Sequence, residues 1–192
     1  MGKKKILMLG CLTVLAGITL VALILIAFLK YQIRNQDPEN EEFYVTVLGS
    51  DIQPVKTLAA CTTAPWYGAL DSAEFYAVAL PDVAFASPPP GYPKKMDYQE
   101  EHKLVEWGNG PPSKTDRQVL SEGIRFATSW LEQENSCSSK DRPLLLSITA
   151  VLDQAGVRFA YVYRNDIGHV DRLALYILDP KNKVFYLLRF GI

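Results

Sequence analysis

Apolar residues run without a break from Ile6 to Leu29, twenty-four positions carrying no charge, with Lys3, Lys4 and Lys5 before them and Lys30 after. As a helix this stretch would be about 36 Å long, enough to cross a hydrocarbon core of about 30 Å with some tilt. The pattern predicts a membrane span through residues 6–29. Lysines before it, against Lys30 and Arg34 diluted by Asp37, Glu39, Glu41 and Glu42 after it, predict an N-terminus in the cytoplasm and the remainder outside. Cleavage after a shorter apolar core, with Val14-Leu15-Ala16 before Gly17, is the rival reading; the run continues past that point with no polar segment, which favours an uncleaved anchor. Leu9-Gly10-Cys11 resembles a lipoprotein cleavage box, but only four apolar residues precede Gly10.

Beyond the run the pattern changes to that of a folded domain. Residues 31–42 are polar and read as a tether; residues 43–192 read as one extracytoplasmic domain. Phe43 to Leu48 is aromatic and β-branched and predicts a strand, and Pro54 to Thr63 suits a short helix entered at the proline. Phe75 to Leu80 suits a strand. Pro88-Pro89-Pro90-Gly91-Tyr92-Pro93 must be extended and then turn, and Met96 to Trp107 is a polar element of no recognisable period.

The C-terminal half is clearer. Leu120, Ile124, Ala127 and Leu131 recur at three and four, predicting a helix from Thr115 to Glu134 with Thr115 and Gln118 as its capping box. Asp141 as cap, Pro143 in the first turn and Gly156 as a left-handed residue beyond the end predict a second helix through Gln154. Val157 to Tyr163 alternates, Asn165 to Gly168 turns, and Leu173–Leu178 and Val184–Phe190 follow across a second turn. This is a three-stranded antiparallel meander. The sum is an α+β fold, one or two helices packed on a mainly antiparallel sheet.

Charge narrows the partners. Outside the anchor, 16 basic residues face 21 acidic ones, a net of −5, which argues against nucleic acid. Cys61 and Cys137 form an even pair in a compartment expected to oxidise; a disulfide between them, or two buried thiols, are the alternatives. Neither has a Cys or His at metal-ligand spacing, so no metal and no cofactor is expected.

Chemistry is sparse in the sequence. It holds no nucleophile elbow, zinc-binding helix motif, phosphate loop or dinucleotide fingerprint. His102 lies in a charge cluster with Glu100, Glu101 and Lys103. His169, with Asp166 and Asp171 nearby, is the one candidate acid/base group. Trp66, Tyr67, Tyr92, Tyr98 and Trp107 crowd an irregular middle third, where loop aromatics are candidates for binding or for packing under loops. The function expected is therefore a membrane-anchored binding protein with a protein partner in the envelope, in a bacterium on the periplasmic side. An envelope enzyme using His169 is the alternative.

Overall fold

The computed structural model describes residues 18–26, 43, 47–48, 52–63, 72–85, 102–166 and 168–191. Six strands form one antiparallel sheet: β1 (Lys56–Thr62), β2 (Ala73–Ala79), β3 (Lys103–Asn109), β4 (Arg158–Asp166), β5 (His169–Asp179) and β6 (Val184–Phe190). Their order across the sheet is β1-β2-β6-β5-β4-β3, so the last strand of the chain lies near the centre and β3 forms the edge opposite β1. The β4-β5-β6 meander predicted from alternation is present, and the fold is α+β. Two helices, α1 (Lys114–Gln133) and α2 (Arg142–Leu152), lie between β3 and β4 in sequence.

One face of the sheet is covered by these helices. Leu120, Ile124, Ala127 and Leu131 of α1 and Leu145, Ile148, Val151 and Leu152 of α2 pack on Phe75, Tyr161, Leu173, Leu175, Tyr186 and Leu188. Each such leucine or isoleucine taken fully from water contributes about 1.5–3 kcal/mol. The opposite face is buried too, and this departs from the expected single layer of helices. Phe43, Val47, Leu48 and Ile52 cover Val78, Val162, Tyr176, Leu178, Phe185 and Leu187, with the Phe43 ring edge-on to Phe185 at 6.0 Å.

Several local expectations are corrected. Phe43, Val47 and Leu48 are helical rather than extended. Phe43 and Val47, four apart, share one helical face, and burial against a ready-made sheet outweighs weak β propensity. Pro54 to Thr63 is not a helix; Val55 N–H donates to Ala79 O at 2.8 Å and the chain continues as β1. The untyped polar element ends in β3, an edge strand whose exposure and bulge between Val105 and Gly108 erase the alternation. The cap of α1 is Ser113, two residues before the expected Thr115: its hydroxyl accepts from Asp116 N–H at 3.2 Å and donates to the Asp116 carboxylate at 2.5 Å. α2 begins and ends near its predicted limits, with Pro143 in its first turn and Gly156 at φ 85°, but the Asp141 carboxylate accepts from Ser138 rather than capping the helix.

The predicted span falls largely outside the described residues. Its described part, residues 18–26, is helical and exposed throughout. Among the described residues no helix is long and apolar enough to cross a membrane.

A single polar contact fixes the start of α1 on the sheet. The Tyr161 hydroxyl, reaching up from β4, donates to Asp116 Oδ1 at 2.6 Å. Burial pushes the Asp116 carboxyl up, but hydrogen bonds from the Ser113 hydroxyl, the Tyr161 hydroxyl and the Ser113 backbone more than offset this and hold it below its ordinary value. A depressed carboxylate contributes stability above its unfolded pKa and loses it as pH falls through the folded one. Tyr161→Phe is expected to cost about 1–2 kcal/mol at neutral pH in denaturant titrations. The difference from wild type should hold above the ordinary aspartate pKa and narrow as pH falls below it toward the lowered value of Asp116.

Candidate functional site

The second face of the sheet divides into two halves. Alternation from the buried Val78, Leu187 and Ala174 places Glu74, Arg189 and Arg172 on this same side, at the end where β2 starts and β6 finishes. Arg189 lies directly across from Glu74, and its Nε donates to Glu74 Oε2 at 3.1 Å while Nη2 bonds the same oxygen. The pair is poorly exposed, 11% for the arginine and 24% for the glutamate side chain. Burial alone would lower the Arg189 pKa; the charge of Glu74 outweighs it, with Tyr176 and Tyr76 also near, so the guanidinium stays charged.

Next to this pair, β4 and β5 place two arginines opposite each other, Arg164 against Arg172. Like charges facing across a ladder destabilise it. A bulge follows at once: Arg164 pairs with Arg172 and Asn165 with Val170, leaving Asp171 as the extra residue. Freed from the ladder, the Asp171 carboxylate turns to Arg164, whose Nε donates to Oδ2 at 2.8 Å; the other oxygen, Oδ1, is buried with no hydrogen bond among the described residues. Arg172 is partly buried and has no ion pair among the described residues. Three guanidiniums and two carboxylates thus share one sheet end, a net of +1 in a domain that is acidic as a whole.

The residues singled out by sequence distribute as follows. His169 stands on α1's side: its Nδ1 is 3.1 Å from Glu122 Oε1, and its side chain is 75% exposed. Neither expected aspartate is its partner. Asp171 bonds Arg164, and Asp166 is exposed directly across the hairpin from His169. Trp107 packs partly buried against the second-face cluster, with its Nε1 buried and unbonded among the described residues. Trp66, Tyr67, Tyr92 and Tyr98 lie outside the described residues. Cys61 and Cys137 are joined by a disulfide, tying edge strand β1 to the segment after α1. Among the described residues no group of His, Cys, Asp and Glu is arranged to hold a metal. A hollow of about 240 Å³ lies between the helices, lined by Ser121, Arg125, Thr128, Leu145, Leu146 and Thr149, shallow against the usual 300 Å³ or more of a ligand pocket.

No protein-family model, no curated protein and no solved structure is similar to the chain.

Sequence reasoning missed the arginine end because its members come from four strands. Glu74 and Arg189 are 115 residues apart, and Glu122 and His169 are 47 apart. The unbroken apolar runs of β5 and β6 are the available signal: Arg172 and Arg189 stand at the ends of these runs, where a charge is unexpected. Glu74→Ala leaves the buried Arg189 uncompensated and is expected to cost about 2–4 kcal/mol in denaturant unfolding, more than Arg142→Ala, whose pair with Glu132 is exposed.

Proposed function

We propose that the chain is a single-pass membrane protein, N-terminus in the cytoplasm, whose domain of residues 43–192 binds a protein partner on the outer side, in a bacterium the periplasm. One observation carries this reading. The described helical residues 18–26 leave their large apolar side chains, Ile18, Leu20, Val21, Leu23, Ile24, Leu25 and Ile26, 52–62% exposed and unpacked on the domain. A helix apolar but for Thr19 that its own domain does not cover needs lipid or another protein around it. These residues sit within the uncharged run 6–29, long enough to span. The Cys61–Cys137 disulfide supports the outer placement, since such bonds persist where the surroundings oxidise. The experiment is alkali extraction of membranes from cells making the full chain, with thiol labelling before and after reduction. Retention in the membrane, with two cysteines labelled only after reduction, is expected. Release by alkali, or labelling of Cys61 and Cys137 without reduction, would refute the reading.

A second reading has its own observation, the His169–Glu122 contact. A carboxylate at Nδ1 favours the proton there and leaves Nε2 as the acceptor, the arrangement of an oriented general base. On that reading His169→Ala would abolish turnover of an envelope substrate and Asp166→Ala would not. Full biological activity of His169→Ala removes it.

A further inference from the structure

The arginine end of the second face has a charge arrangement that the described residues do not complete. Arg189 and Arg164 each have a carboxylate, Glu74 and Asp171. Arg172 has none among the described residues, although it faces Arg164 across the ladder and lies one step diagonally from Arg189, which is opposite Ala174. Directly opposed residues of antiparallel strands are about 4.5–5.5 Å apart at Cα, so the charges sit within mutual reach.

Small residues surround Arg172 on its remaining sides. Ala174 is the next residue of β5 on the same face. Gly191 follows β6 at φ 67°, and a Cβ there would lie 3.1 Å from Arg172 Cγ and 2.6 Å from Asp171 O. Only glycine permits the aliphatic stem of Arg172 to lie against the chain at that point. The stem is thus held in place while the forked head has no counter-ion among the described residues, and a partly buried guanidinium held beside another of the same sign is unfavourable unless an anion joins them.

We propose that Arg172 is the binding residue of an oxyanion site, taking a carboxylate or phosphate group on its own guanidinium fork, with Arg164 beside it already held by Asp171. Asp171 keeps Arg164 in position through Nε and Nη2, and Glu74 keeps Arg189 in position behind it. Arg172 supplies the uncompensated charge. The site does not depend on where the chain resides, so it stands or falls apart from the membrane assignment.

The test uses the full chain in detergent, titrated with inorganic phosphate or with acetate against chloride at constant ionic strength, reading thermal midpoint and arginine side-chain NMR shifts. A saturable response to at least one oxyanion is expected. In Arg172→Gln it should weaken by about tenfold or more, the scale of a lost charge-assisted fork, while Arg172→Lys retains part of it and Arg125→Gln all of it. Response to phosphate alone assigns a phosphate ligand, and response to acetate alone a carboxylate. In chloride, Arg172→Gln should melt no lower than wild type, because it removes a like-charge contact; a lowered midpoint would mean that Arg172 serves the fold and would overturn the proposal. No saturable response in wild type, or an equal response in Arg172→Gln, would overturn it also.

Discussion

The sheet is apolar on both faces at its centre, and the rest of the molecule answers to that constraint. Leu173 to Leu178 and Val184 to Leu188 are buried residue after residue, so neither face of β5 or β6 can meet water. Two covers are therefore needed. α1 and α2 supply one, and Phe43, Val47, Leu48 and Ile52 supply the other. The same constraint explains the strand order. The chain's last strand enters between β2 and β5, where burial on both sides is greatest, and the polar strands β1 and β3 are left at the edges.

Where the second cover ends, the sheet's character changes. Arginine and glutamate replace leucine and phenylalanine on the same face of the same strands, within one or two residues. The sheet geometry does not change there; the side chains do, and desolvation then demands that each charge be answered locally. Glu74 answers Arg189 by standing opposite it. Asp171 answers Arg164 only because the bulge removes it from the ladder, an irregularity with an electrostatic reason.

What the sequence disclosed follows from how local each signal is. The α1 stripe and the meander were legible because their periods are carried by consecutive residues that meet one layer. Yet the unbroken apolar runs of β5 and β6 already signalled burial on two faces, the pattern of a sheet covered on both sides. Phe43 to Leu48 misled because aromatic and β-branched residues suit any buried surface, helical or extended. β3 was opaque because an exposed, bulged edge strand has no face to mark. The charged end and the His169–Glu122 contact join residues far apart in the chain, and no spacing rule reaches across such separations. The cysteine count, with a third cysteine in the apolar run, left one possible pairing in the domain but both a disulfide and two buried thiols open; the fold brings the two together as a disulfide.

That bond also determines how the domain carries tension. A pull between the N-terminal segment and the C-terminus would pass from β1 through Cys61 to Cys137 and on through α2 and the meander. The 76-residue separation it closes contains β2, β3 and α1, which lie off the load path. Edge strand β1 is where an unsecured sheet would peel first, one ladder bond at a time. Joined covalently to the segment between α1 and α2, it cannot be drawn away beyond Cys61, and any force from the N-terminal side is delivered to α2 rather than to the open edge.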